Sequence, residues 1–591
     1  MLSEDPDQQA TLADGAQRLL ITASPGSGKT VTAILLAARD INDAIVGPTQ
    51  RVLILTFSLE ARAQLEAYAK DLLSPKQRAR VEITNYHAWF WTKVRQFRSS
   101  LGLPLDTELT TRQQHHDDVM SAMVRAGVVV DEDLVDDYGL TLEHAVDGCR
   151  PTRLPEPLPD GDAVTDELRR THRQGHLHYD DLAFYMWRLA NESATLRHLW
   201  RHKYPVVILD EYQDSSAMQA KIVERVAGNT GRVYAFADPL QMIYGWRDAS
   251  PQRVDEFGSR GASCHTLRTL HRYRHRPALR AWMEGVRDIL LANGGTCPAP
   301  PSEVTVVGYD PKRKVRGEPY DIASRDLWQL DAAISNAFKD PEVRSIAVLH
   351  RKHSHLDRVE RHLSQHFFCK RIRTARDTAE WAREWIDTYP TATSDQLKME
   401  QLIKVALRIA PRNDDLQALL SRIDVQGIRV DRLGERRRNL AVTLNDTLPL
   451  WTDLAGACSA ARAVSRIAAA HEDAKLVAGD AAHVVRSTLR VRDGLDDIAA
   501  REAILNRLAQ LRFTSEAREP RGLYLLTCHE AKGKEFDMVI LPYVSETIFK
   551  DSDTESKQVL YVSLTRARHR LLVRVAEGDI PVSCQAMGLS P

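Results

Sequence analysis

Short apolar runs alternate with helix-period stretches at the start of this chain. RLLITA (18–23) precedes a helical pattern from Lys29, and RVLILTF (51–57) precedes ARAQLEAYAKDLL (61–73). RVEITNYHAWFW (80–91) reads as a further strand. Near-continuous apolar strands separated by amphipathic helices predict a parallel sheet covered on both faces. From about 93 to 170 the strand signal disappears, and helical stretches lead into the acidic, proline-marked RPTRLPEPLPDGD (150–162). The sheet pattern resumes with YPVVILD (204–210), RVYAFAD (232–238) and SCHTLRTL (263–270).

A second series follows: SIAVLHR (345–351), GLYLLTC (522–528), DMVILPYV (537–544) and RLLVRV (570–575). An Ala-, Leu- and Arg-rich helical block, about 376–515, splits it. The pattern therefore predicts two α/β cores, each interrupted by a mainly helical insert. The first core takes 1–92 and 171–276 around an insert at 93–170. The second takes 277–375 and 516–591 around an insert at 376–515. There is no internal repeat and no low-complexity tract. The last strand run stands close to the final residue, so no further catalytic domain is expected within this sequence.

At 591 residues the length suits roughly three to four domains. Hydrophobic content of 43% and charged content of 27% describe ordinary globular material. A formal net charge of +0 does not advertise a nucleic-acid binder, although a local basic channel can sit on a neutral protein. No stretch approaches the roughly 20 apolar residues of a membrane span, and MLSEDPDQQA is too polar for a signal peptide. The seven cysteines are scattered and never form a CxxC pair, which argues for reduced thiols without a zinc or iron–sulfur site. A cytoplasmic protein with no membrane contact is expected.

Three segments carry chemistry. ASPGSGKT (23–30) links a strand to a helix, the context of a phosphate loop. Backbone N–H groups from Ala23, Ser24, Pro25, Gly26, Ser27 and Gly28 can wrap phosphate where the residue carries one, with the helix N-terminus adding positive potential. Lys29 would reach the terminal phosphates, and Thr30 would ligate Mg²⁺. VVILDEYQDSS (206–216) ends a buried strand in Asp210, a second Mg²⁺ ligand, and Glu211, a base for the attacking water. FADPLQMIYGWRDA (236–249) offers Gln241 to sense phosphate, with Tyr244 and Trp246 to stack on bases. A nucleotide site joined to a base-stacking site suggests a motor on nucleic acid.

Together these segments make the chain resemble a superfamily 1 DNA helicase of the UvrD/Rep/PcrA type, in order from residue 8 to about 573. The resemblance implies two RecA-like P-loop cores, each with a helical insert. It also implies ATP and Mg²⁺ as cofactors and 3′→5′ movement on single-stranded DNA. Gln8 takes the adenine-reading position, with Gln9 as the alternative. LTFSLEARAQL (55–65) matches a DNA-facing segment, here Thr56 and Phe57, and TNYHAWF (84–90) retains His87 with Tyr86 in place of Phe. HRYRHRP (271–277) implies Tyr273 on adenine and Arg274 on the γ-phosphate, with Arg272 in place of the usual Asn. TCHEAKGKEFDMVILP (527–542) implies His529 toward DNA and Gly533 and Glu535 toward nucleotide. LYVSLTRARHRL (560–571) implies Arg566 as the second arginine finger. The departures are Ala23 for the first loop Gly, Val31 for Arg and Lys534 for Leu.

The leading expectation is an ATP-dependent translocase and helicase acting on single-stranded and forked DNA in repair, recombination or phage defence. The alternative is a DNA-responsive ATPase subunit that regulates or recruits a partner nuclease and unwinds little itself. RVDRLGERRRNL (429–440), with Arg436, Arg437 and Arg438 consecutive, is either a solvated face or a duplex phosphate grip.

Overall fold

The computed structural model describes residues 5–110, 112–129, 161–179, 181–229, 231–243, 251–291, 297–309, 324–351 and 522–591. It also describes scattered positions between 356 and 447. One compact unit holds residues 1–369 and 517–591, and a second holds 370–516.

In the first unit, six parallel strands make one sheet. They are β1 (Arg18–Ala23), β2 (Val52–Thr56), β3 (Val81–Asn85), β4 (Val206–Leu209), β5 (Arg232–Ala237) and β6 (Ser263–Leu267). Their order is β3-β2-β4-β5-β1-β6, with registers such as Leu19↔Tyr234 and Ile54↔Ile208. The central strands β2 and β4 are apolar and buried along their length because helices cover the sheet, whereas the edge strands β3 and β6 carry polar, partly exposed residues. Ala33, Ile34 and Ala37 of the helix Lys29–Asn42 pack on Leu19, Ile21, Ile54, Ile208 and Phe236. In this order the carboxyl ends of β1, β2, β4 and β5 open onto one edge, where parallel sheets form their binding crevices. Residues 23, 56, 210 and 238 all fall there.

The second sheet carries β7 (Val304–Tyr309), β8 (Ser345–His350), β9 (Gly522–Thr527), β10 (Phe536–Val544) and β11 (Ala567–Ala576). The order β9-β8-β10-β11-β7 runs across it, each of these pairs parallel. Its core gathers Ile346, Val348, Leu523, Leu525 and Ile540. The fold is thus α/β, with two parallel-sheet cores.

Two elements depart from the sequence reading. The run 80–91 is a strand only to Asn85, whose side chain accepts the Ala88 N–H at 2.7 Å and starts the helix Tyr86–Gln96. An Asn cap of this kind stops the strand although the apolar run continues. Strand β7 carries Val304, Val306 and Val307 but was not among the expected strands; it lies at a sheet edge with only Val304 buried. Within 93–170, the helices Arg112–Arg125 and Gly161–His172 pack through Val119, Ala122 and Met123 against Val164 and Leu168.

In the second unit, Ile423–Asp424 pairs antiparallel with Gly427–Ile428, and Asn445 of the helix Glu435–Thr447 bonds the N–H and C=O of Ile428. Arg437 and Arg438 lie exposed in that helix's first turn, whereas the Arg436 side chain is outside the described residues. Among the described residues no helix is long and apolar enough to cross a membrane.

Candidate active site

The phosphate loop has the geometry its residue types require. Gly26 (φ +79°) and Gly28 (φ +90°) are left-handed, a conformation that disfavours any side chain. Ser27 folds back through its N–H and hydroxyl onto the Ser24 carbonyl at 3.2 and 2.8 Å. Lys29 is buried. Its ammonium donates to the Ala23 carbonyl at 3.4 Å and lies 3.5 Å from Glu211 Oε1. Burial would depress this ammonium, but Glu211, Asp238 and Asp210 together raise its pKa. Lys29 therefore stays charged without a bound anion.

Two buried carboxylates share the end of β4. Burial and the neighbouring Glu211 raise the Asp210 pKa. Glu211 resists the same burial because Lys29 and Lys532 favour its charged form. Glu211 also holds φ +52°, a left-handed backbone at a non-glycine residue of the kind found where function fixes the chain. For Mg²⁺, Asp210 and Thr30 provide hard oxygen donors beside the loop, the chemistry this ion prefers. Asp210 is buried at the end of β4 next to the carboxylate of Glu211, where a divalent cation would offset their charge, so these residues fit the ion.

From Glu211 a hydrogen-bonded path runs to the second core. Gln213 donates to Glu211 and accepts the Asp238 N–H at 3.1 Å. Asp238 accepts the Gln241 amide at 2.8 Å. Gln241 Oε1 then accepts from Arg566 Nη2 at 3.1 Å. Arg566 is buried just before β11, and its Nε–H donates to the Val562 carbonyl at 2.8 Å. Burial, then Arg272, pull its pKa down to about 10, so it remains a cation. Lys532 of the second core closes a parallel link, pairing with Asp214 and donating to the Gln241 carbonyl. Gln213, Asp238 and Lys532 were given no role from sequence. Their signal was present, since Gln213 lies inside DEYQD and Lys532 inside HEAKGK.

Other expected residues fall as follows. Gln8 is buried on the helix Pro6–Ala13, against the loop: a Cβ on Gly28 would stand 2.2 Å from its Nε2. Tyr273 is buried, with its hydroxyl donating to the Ala567 carbonyl at 3.0 Å. Gly533 (φ +78°) and Glu535 lie in the turn before β10, and Glu535 pairs with Arg272 and Arg568. His529 hydrogen-bonds the backbone of Ile243, next to the Gln241 turn. His87 is half-buried edge-on to Tyr179, and Phe57 is half-buried as well. Tyr244 and Trp246 lie outside the described residues.

Two expected residues take positions that the sequence did not show. Thr56 is fully buried, and its hydroxyl donates to Asp210 Oδ2 at 3.3 Å; it faces the carboxylates rather than a DNA surface. Arg274 is exposed and donates to His275 at 2.8 Å, while Arg272 occupies the junction of the cores. His271–Tyr273 forms a single 3₁₀ turn, with about three residues per turn. Side chains two positions apart there point about 120° away from each other.

Two parallel sheets, a phosphate loop on one and a buried arginine from the other define a two-core P-loop fold. Residues 4–260 match the family model of the UvrD/REP helicase N-terminal domain, and residues 522–573 match the UvrD-like helicase C-terminal domain. The chain belongs to the UvrD/Rep helicase family. A probable DNA helicase II homolog of Mycoplasma capricolum is 22% identical over 45% of this chain. The chain spans only 38% of that relative's length. A Rickettsia conorii protein of the same description is 21% identical over 97% of this chain and 92% of its own length. The RecBCD enzyme subunit RecB of Mycolicibacterium smegmatis is 27% identical over 39% of this chain and 26% of its own length.

Proposed function

We propose that this chain is an ATP-dependent DNA translocase and helicase, moving 3′→5′ on single-stranded DNA and opening forks. The observation that carries the reading is the unbroken path from Lys29 through Glu211, Gln213, Asp238 and Gln241 to Arg566. Lys29 and the loop amides bind the phosphates, and Glu211 takes a proton from the attacking water. Arg566 offsets charge that develops on the transferred phosphoryl, a contribution of roughly 10³–10⁵ in rate for such arginines. Thr30 and Asp210 would hold Mg²⁺, which neutralises phosphate charge and orients the nucleotide.

Because Arg566 and Lys29 come from different cores, the transition state favours the closed arrangement, and product release relaxes it. Gln241 lies on the path. The segment that follows it carries Tyr244 and Trp246, whose rings would grip bases of any sequence. Movement of that turn couples phosphate chemistry to the DNA strand. The test is strand displacement on duplexes with 3′ or 5′ tails, with Lys29→Ala as control. Unwinding only from 5′ tails removes the polarity, and undiminished hydrolysis in the variant removes the site.

Similarity to a RecBCD enzyme subunit favours a second reading, a DNA-responsive ATPase subunit working with a partner such as a nuclease. Vigorous DNA-stimulated ATPase without unwinding in the isolated chain would select it.

A further inference from the structure

Arg272 is a junction residue that departs from the family pattern, since an asparagine usually stands there. Its backbone N–H donates to the Gly26 carbonyl of the phosphate loop at 3.2 Å. Its side chain lies over the loop: a Cβ on Gly26 would stand 2.6 Å from Arg272 Cβ and 3.2 Å from its Nε. The guanidinium then reaches the second core, where it donates to the Thr565 carbonyl and pairs with Glu535. Thr565 directly precedes Arg566, so two guanidinium groups from different cores meet beside the phosphate loop.

The charges around this junction are unequal. Arg566 has only neutral hydrogen-bond partners among the described residues: Gln241, the Val562 and Lys534 carbonyls and the Thr565 hydroxyl. Arg272 pairs with Glu535 alone, whereas Arg568 pairs with Glu535 and also stands 3.9 Å from Asp537 Oδ1, among the described residues. Burial and the proximity of Arg272 both disfavour the charged form of Arg566. The cluster therefore gains from one more anion, and a terminal phosphate on the adjoining loop would supply it. Glu535 would keep Arg568, whose Nε stands 3.1 Å from Oε2, so the exchange leaves no carboxylate uncompensated.

We propose that Arg272 exchanges Glu535 for the terminal phosphate of bound ATP and acts as the first-core arginine opposite Arg566. This rests on the nucleotide site described above and changes which arginine serves it. Arg272 offers a planar fork that can bind two phosphate oxygens at once, which a lysine cannot. Arg274, the residue the resemblance selects, donates to His275 on the surface.

The test uses the full chain with single-stranded DNA. It measures steady-state ATPase, affinities for fluorescent ATP and ADP analogues, and thermal melting. Arg272→Ala should lower kcat by about 10³-fold. It should also weaken the ATP analogue far more than the ADP analogue. Arg272→Lys, with charge but no fork, should fall between parent and alanine variant. Glu535→Gln, which frees Arg272, should strengthen binding of the ATP analogue. Equal weakening of ATP and ADP analogues would reduce Arg272 to a support for the loop and overturn the proposal. So would full kcat in Arg272→Ala, lost kcat in Arg274→Ala instead, or weaker ATP-analogue binding in Glu535→Gln. Failure of the nucleotide site itself reads out separately, as hydrolysis surviving in Lys29→Ala.

Discussion

Glu535 shows how one side chain at this junction is governed by its neighbours. Burial alone would raise its pKa, but Arg272 and then Arg568 outweigh burial and hold it at about 2, against an ordinary 4.5. A carboxyl with a depressed folded-state pKa stabilises the protein above its unfolded value and loses that contribution as pH falls through the folded one. The contribution here is on the order of 3 kcal/mol, with the side chain about one-fifth exposed. Glu535→Gln should therefore melt lower than the parent by a constant margin above about pH 5. The margin should shrink between pH 4.5 and 2, and melting curves across that range check it; a margin independent of pH would mean the arginines do not hold this carboxylate. At this scale the sequence was informative for chemistry and weaker for direction. Lys29, Glu211 and Arg566 were legible because their neighbours fix their surroundings. Arg272 and Arg274 were separable only by the rotation of a 3₁₀ turn, and Thr56 only by the depth of β2.

Single elements position these groups, and the helix Pro6–Ala13 is a clear case. Asp5 caps it, accepting the N–H groups of Asp7 and Gln8 at 2.8 and 3.4 Å, while its other oxygen pairs with His271 at 2.7 Å. The cap thus ties the helix that carries Gln8 to the turn that carries Arg272. Asp5→Ala should cost about 1 kcal/mol in unfolding, the usual loss for such a cap. If Gln8 reads adenine, the variant should also raise KM for ATP with kcat nearly unchanged and discriminate less against GTP. Unaltered discrimination would detach the helix from base recognition. Buried strands were the most legible elements, since an unbroken apolar run leaves them no other partner than a covered sheet. Edge strand β7 has its valines interrupted by Thr305 and Gly308, and the helix after Asn85 was hidden by aromatic residues that suit either structure.

Across the whole first unit, the segments that build the site are far apart in sequence, and the closed junction depends on few groups. Lys532 bridges Asp214 and the Gln241 carbonyl, Gln558 donates to the Pro239 carbonyl at 3.0 Å, and Arg566 meets Gln241. All three of these links end on the turn 239–241. The second core therefore meets the first at the point where phosphate chemistry is proposed to reach DNA, as well as at Arg272 and Tyr273. Sequence order could supply the motifs, but a linear pattern does not say that Lys532 and Arg566 converge on one glutamine. If Gln241 and Arg566 act as one unit, their losses cannot add. Gln241→Ala and Arg566→Ala should each reduce DNA-stimulated ATPase, and the double variant should be little worse than Arg566→Ala alone. The cycle should give a coupling of about 1–3 kcal/mol, as expected for groups in direct contact. Measured kcat for the four proteins at saturating DNA decides it. Strict additivity would mean that the hydrogen bond between the cores carries no signal and that each residue serves its own core.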